Sequence, residues 1–392
     1  MAHALLGPSS ASRWMACPPS VRLCEQFEDV ESEYAKEGSL AHEIAELKVK
    51  KLIDPGLTSR KFTSAMKKLK DKELYQEEMQ GYTDEYVEFI QEQMYSYSST
   101  PHVAVEQKVD FSQYVPGGFG TADCILISND TLHIIDFKYG KGVPVSVENN
   151  AQLLLYALGA YLAYEMIFPI EHIKMSIVQP RLTGIDTWEC SLDYLLDFAK
   201  KAQERAVMAL NGEGDFECGE HCKFCKAKAT CKARANINLE LAKYEFKAAD
   251  QLSLEEIGEI LQKAQDLAKW AEDLKEYALA ESLKGNNVPG WKAVNGRGSR
   301  SFTNTDDAIK VLKENGIAEE LLYERKYLTL AQIEKVIGKK DFNNLVGDLI
   351  VMNVGKPTLV EASDKREAIT NKIKAEDEFS VVDDINNLKK EK

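Results

Sequence analysis

No stretch of this 392-residue chain is apolar over the ~18–20 residues that a bilayer-spanning helix requires. The N-terminus lacks a basic segment followed by an apolar one, so no secretory leader is expected. Positive charge is in deficit: 49 Lys and Arg stand against 63 Asp and Glu, a formal net charge of −14. That balance argues against a protein that coats nucleic acid by bulk electrostatics, while leaving room for a local basic channel. These absences predict a cytoplasmic chain with no membrane partner. In a reducing compartment its eight cysteines are not expected to form a disulfide framework.

What is present fits a folded protein. Hydrophobic residues make up 44% of the chain, and its length suits two domains or one decorated domain. The cysteines are unevenly placed: Cys218, Cys222, Cys225 and Cys231 fall within fourteen residues. That clustering points to metal.

The most informative stretch begins at Gly118. Two apolar runs, Phe119–Ile127 and Thr131–Phe137, flank the polar pair Asn129-Asp130, which reads as a β-hairpin. If those two residues form the loop, Ser128 pairs with Thr131 and Asp123 falls opposite Asp136. Lys138, two residues beyond Asp136, shares its face. Like charges opposed on paired strands are destabilising. A divalent cation such as Mg²⁺ offsets that cost, since it takes carboxylate oxygens, waters and substrate phosphates. The alternative is a register shifted by one, with one aspartate in solvent.

Residues Val147–Glu165 read as a helix with Leu153, Leu154, Leu158, Tyr161 and Leu162 on one stripe. Gln152 and Tyr156, four apart, share a face. The succession G-x-x-D, D-x-K and Q-x-x-x-Y resembles the RecB-like branch of the PD-(D/E)XK nuclease superfamily. The resemblance implies an α/β fold, a mixed central sheet flanked by helices, with the site at the strand ends. It implies that Asp123 and Asp136 bind Mg²⁺ or Mn²⁺, with the main-chain carbonyl of Phe137 as a further ligand. Lys138 would orient and help deprotonate the attacking water, and Gln152 and Tyr156 would face the DNA.

Upstream, Gly38–Ile53 reads as an amphipathic helix carrying His42 in its first turns. The G-x-x-x-H-x-x-x-E arrangement is similar to that family's early helix, whose histidine completes the metal site; otherwise His42 is a structural or surface residue. Residues 54–71 read as an exposed basic linker, and Glu73–Tyr97 as a helix packed on the sheet. Glu106, on an alternating strand Val103–Val109, is either a metal neighbour, as the resemblance implies, or an exposed strand glutamate. His172–Gln179 and Asp186–Cys190 read as two more strands, and Ser191–Leu210 as a helix.

Cys222-x₂-Cys225-x₅-Cys231 can offer three thiolates to one centre. A Cys₄ site suits zinc or a [4Fe–4S] cluster. The triplet resembles that of AddB-type and CRISPR-associated RecB-family nucleases, whose fourth cluster ligand comes from a Ser-rich N-terminal helix ending in Cys-Pro. Cys17 matches that position, while Cys218 competes with it; if Cys218 ligates, a local zinc knuckle is the better reading. The cations among these thiols, including Lys223, Lys226 and Lys228, are either a solvated face or contacts to a phosphate backbone.

Beyond the cysteines, a capping box at Ser253 opens a helix to about Leu283 with a heptad seam, open to packing within the chain or to self-association. The segment Asn286–Phe302 carries Trp291, Arg297 and Arg300, either for a single nucleic-acid strand or as a plain hairpin with Trp291 buried. The expected organisation is a nuclease core over 1–235, a mainly helical C-terminal region over 236–355 and a flexible tail over 356–392. The expected activity is that of a metal-dependent DNA nuclease, an exonuclease processing DNA ends in phage or bacterial recombination or repair, of phage-encoded form. A non-catalytic DNA-binding or recombination scaffold of the same fold is the rival. Expected partners are DNA and a phage single-strand-binding or recombination protein, with oligomerisation open.

Overall fold

The computed structural model describes residues 4–28, 32–142, 144–182, 184–239, 254–295, 304–314, 338–346 and a few single positions up to 350. Within the first of two units, Met1–Val294, the elements run as follows. A 3-10 turn at Pro8–Ser10 leads into α1 (Ala11–Ala16) and α2 (Ser20–Cys24), then α3 (Glu33–Ile53), α4 (Ser59–Lys70) and α5 (Glu78–Ser96). Next come β1 (His102–Asp110), β2 (Phe119–Ser128), β3 (Thr131–Phe137), α6 (Ala151–Tyr164), β4 (His172–Gln179), β5 (Gly184–Ser191) and α7 (Leu192–Asn211). The last two helices are α8 (Lys232–Leu239) and α9 (Leu254–Leu283).

The fold is α/β: one five-stranded mixed sheet, ordered β1-β2-β3-β4-β5, with helices on both faces. Only β3 and β4 pair in parallel, which requires a crossover, and α6 supplies it. The near-continuous apolar runs of β2 and β3 follow from this layering. Ile125, Ile127, Leu132 and Ile134 pack with α1, α6 and α7, while Cys124, Leu126, Ile135 and Phe137 pack with α3 and α5.

The hairpin pairs Ser128 with Thr131 through to Cys124 with Ile135. Continued by one residue, that register sets Asp123 level with Asp136, as the turn reading requires. Caps fix the helices around it. Asn150 Oδ1 accepts the amides of Gln152 at 3.0 Å and Leu153 at 3.3 Å, so α6 starts at Ala151. Ser191 caps α7, and Gly212 ends it in the left-handed region at φ 71°.

Two readings change. Residues 59–70 form α4 rather than a linker, because Phe62, Met66 and Leu69 recur at helical spacing and pack with the core of α3 and α5. Trp291 is 67% exposed, and 286–295 contain no strand, so no hairpin buries its indole there. The seam of α9 stays open between the two readings: Ile260, Ala264, Leu267 and Ala271 are half-buried, Ile257 and Leu274 are exposed, and Trp270 and Asp273 beside them are buried. Trp270 Nε1–H donates to Ala229 O at 3.1 Å.

In the second unit, Asn295–Lys392, the helices Thr305–Glu314 and Lys339–Val346 are described. The tail from 356, and Arg297 and Arg300, lie outside the described residues. No helix among the described residues is long and apolar enough to cross a membrane.

Candidate active site

The strand ends of the hairpin and the middle of α3 bring the expected acidic and basic groups to one side of the sheet. Asp123 Oδ2 accepts the Phe137 N–H at 2.8 Å and lies 3.4 Å from His42 Nε2. His42 Nδ1–H donates to Gly38 O at 2.9 Å, one helical turn earlier. With Nδ1 engaged, Nε2 is the nitrogen turned to Asp123, and it would have to give up its proton to ligate a metal. This accounts for the G-x-x-x-H spacing.

Asp136 is buried at 3% exposure, and Lys138 Nζ approaches its Oδ2 to 3.0 Å. The angle of that approach does not make a hydrogen bond, and Oδ2 has no other partner. A buried carboxylate oxygen without a hydrogen bond calls for an explanation. Lys138 instead donates to Gln152 Oε1 at 3.0 Å, and Gln152 Nε2–H donates to Tyr156 OH at 3.1 Å. The three motif residues thus form one chain from β3 across to α6. Gly120, three residues before Asp123, makes room for it: a Cβ there would stand 2.7 Å from Pro8 Cγ and 2.8 Å from Tyr156 Cε1.

Charge is unevenly shared among the carboxylates. Burial drives the Asp136 carboxyl above the ordinary range and the neighbouring Asp123 charge adds to this, despite Lys138. Burial works the same way on Asp123, but the charge and hydrogen bond of His42, the Phe137 amide and Lys138 outweigh it and hold its carboxyl low. Burial would lower the His42 imidazolium, yet Asp123 pushes it up to about 9. Two buried acids displaced in opposite directions behave as one coupled site.

Glu106 joins them by an unusual route. Val105 pairs with Cys124 and Gln107 with Ala122, leaving Glu106 level with Asp123 at φ 50°. Left-handed backbone in a strand breaks the alternation of side chains, so Val105 and Glu106 both line the small cavity that holds His42 and Asp123. Burial, then the charges of Asp123 and Glu46, push Glu106 up to about 7. Glu46, one turn after His42 on α3, lines the same cavity. Its position in the G-x-x-x-H-x-x-x-E pattern was the available signal for it.

By type, one imidazole and three carboxylates are donors suited to Mg²⁺ or Mn²⁺, but no three of their ligand atoms lie within 4.8 Å of one another; among the described residues the group that meets that distance is Asp130, Glu171 and His172, largely exposed at the turn end of the hairpin.

The cysteines meet elsewhere in the same unit. Cys17, at the end of α1, lines one cavity with Cys222, Cys225 and Cys231. The N-terminal segment is held there by Arg22, whose Nε–H donates to Leu210 O at 2.8 Å. Cys218 does not line the cavity, although its thiol is near Cys222 and within electrostatic reach of Cys231 and Cys17. Cys24, which the spacing did not single out, sits behind Cys225 with the sulfurs 3.6 Å apart. Four thiols around one cavity are the donor types of a Cys₄ centre, although no three of their sulfurs lie within 4.8 Å of one another.

Between the two centres lies an open groove of about 990 Å³. Lys138 and Gln152 line it on one side, Lys223 and Phe224 on the other, with Tyr194 and Phe198 along it. Phe224 is 72% exposed. Of the other cations expected to meet DNA, Lys226 is exposed but does not line the groove, and Lys228 is engaged with Asp273 at 2.7 Å.

Residues 3–367 match the family described as "Protein of unknown function (DUF2800)". The chain belongs to that family. A solved structure described as "Crystal structure of SSO0001" aligns with 15% identity and a TM-score of 0.24, over 55% of this chain and 94% of that one. At that similarity it carries no argument about fold or activity.

Proposed function

We propose that this DUF2800 protein is a divalent-metal-dependent DNA nuclease of the PD-(D/E)XK type, acting on DNA ends in phage or bacterial recombination or repair. The observation that carries the reading is the meeting of His42, Asp123, Asp136 and Lys138 at one sheet end, with a buried Asp136 oxygen left without a hydrogen bond. His42, Asp123, Asp136 and Glu106 would hold Mg²⁺ or Mn²⁺, with the carbonyl of Phe137 available beside them. The cation would supply charge neutralisation at the phosphate and a more acidic water.

The protein's own groups do the rest. Lys138, held between Asp136 and Gln152, orients the attacking water and stabilises negative charge at phosphorus. Gln152 and Tyr156 form a hydrogen-bonded rail on which the scissile strand is held. The groove offers a track for that strand, with Lys223 for phosphate and exposed Phe224 for a base. Cys17, Cys222, Cys225 and Cys231 would hold a [4Fe–4S] cluster, or alternatively zinc, that secures the groove's far wall.

The test is release of nucleotides from end-labelled linear DNA with Mg²⁺ or Mn²⁺. Activity is expected in the wild type and absent with EDTA, in Asp136→Ala and in Lys138→Ala. DNA binding without any hydrolysis by the metal-loaded wild type would overturn the nuclease reading in favour of the scaffold.

A further inference from the structure

The cysteine cavity contains one strong donor with no acceptor. Arg234, on α8, is 2% exposed and lines this cavity with the four thiols. Its Nη1 donates to Asp273 Oδ2 at 2.6 Å and to Lys228 O at 3.2 Å, and its Nη2 donates to Asp266 Oδ1 at 3.1 Å. Both aspartates belong to α9. The remaining group, Nε–H, is buried and has no hydrogen-bond partner.

Buried guanidinium N–H groups are rarely left unpaired, because desolvating one without an acceptor is costly. Two of the three nitrogens are committed to α9 and to the backbone just before α8, which fixes where the third lies. The lining offers four sulfurs together with Ser20, whose Oγ already accepts from Arg13 at 2.9 Å, and the exposed Glu217, so the sulfurs are the buried acceptors left free. Thiolates bound to metal keep lone pairs, and hydrogen bonds to them tune the stability and potential of such centres.

We propose that Arg234 is the positioning residue of the cysteine centre: its Nε–H is accepted by a sulfur of that centre, while its Nη groups hold α9. The inference rests on the cysteine cavity binding a metal and does not depend on nuclease activity. Because one side chain serves both, the centre and α9 are linked through Arg234.

The test uses two variants of the full chain, purified without oxygen. Arg234→Gln keeps an N–H at the position of Nε but loses both links to α9. Arg234→Met has a similar length and loses the donor as well. Metal and sulfide content, the visible spectrum and the rate of metal release to a chelator are measured. Arg234→Met is expected to release metal at least five-fold faster than Arg234→Gln and to shift the visible or circular-dichroism bands, with thermal unfolding equal in the two. Equal release rates and spectra would overturn the proposal while leaving the cysteine centre intact. A wild type without thiolate-bound metal would defeat the centre and the proposal together, whatever the DNA assay gives. Should neither variant fold, amide exchange in wild-type α9 before and after chelation decides. Faster exchange on metal removal is expected, and unchanged exchange would count against it.

Discussion

The Phe137 amide donates to Asp123 Oδ2 at 2.8 Å, so the last residue of β3's apolar run fixes the carboxylate of the facing strand. Asp123→Asn can keep that bond through its amide oxygen while removing one negative charge from beside Asp136 and Glu106. We expect its metal-free stability to stay within about 1 kcal/mol of wild type, the lost attraction to His42 being offset by the relieved repulsion. Wild-type Tm should rise with Mn²⁺ by ligand linkage, and the variant's should not. Thermal scans with and without Mn²⁺ check both.

Gly120→Ala tests the close approach of α6 to β2. Its methyl would meet Pro8 and the Tyr156 ring at under 3 Å, so one of them must move. A cost of ~1–3 kcal/mol is expected in urea unfolding, as for overpacking in a core. Gly140→Ala is the control, because nothing lies within 4 Å of a Cβ there.

Phe224→Ala should weaken binding of single-stranded DNA by ~1–3 kcal/mol, the worth of one base–aromatic stack. Phe224 is exposed, so stability and metal content should not change. Fluorescence anisotropy with a labelled oligonucleotide at fixed salt measures this. An unchanged affinity would remove Phe224 from the track.

Cys17 and Cys218 make opposite predictions. Cys17→Ser should lose bound metal and, with it, a cross-link over a loop of about 200 residues, at up to ~5 kcal/mol by the chain-entropy model. Cys218→Ser should keep its metal, since Cys218 does not line the cavity. Metal content of the two purified variants separates a long-range centre from a local knuckle.

His133 predicts an acid limb in stability. It is fully buried between Tyr97 OH, 3.2 Å from Nδ1, and Ser176 Oγ, 2.8 Å from Nε2. Burial, helped by Lys174, pushes its imidazolium down to about 3, against the ordinary 6.5. Between those values the unfolded chain binds a proton that the folded one does not, so this contribution is whole above 6.5 and is lost as pH falls toward 3. The slope is about 1.4 kcal/mol per pH unit. Between pH 7 and 5, His133→Asn should lose about 2 kcal/mol less than wild type in urea unfolding. Parallel losses would show that His133 is not the group responsible.

The hairpin was legible because its turn pair and apolar runs fix the register, and the register alone brings Asp123 level with Asp136. Gln152 and Tyr156 were legible from helical spacing. Glu106 was named only through the resemblance: a residue at φ 50° inside a strand leaves no mark on a period-two pattern. The helix over 59–70 was obscured by its five lysines and arginines, although Phe62, Met66 and Leu69 carried the period. The string from Tyr97 through His133 and Ser176 to Thr187 joins four separate elements, and no local pattern announces such contacts. Cys24 and Arg234 were hidden for the same reason: each partner lies far away along the chain.

Seating Cys17 beside Cys222, Cys225 and Cys231 also sets an order of events during synthesis. The first helices leave the ribosome long before the residues that receive them exist. At ordinary translation rates that wait is on the order of 10–40 s. Until then, buried Trp14 and the neighbouring thiols have no permanent home. The first helices therefore wait on residues made some two hundred positions later, as the seating of Cys17 requires.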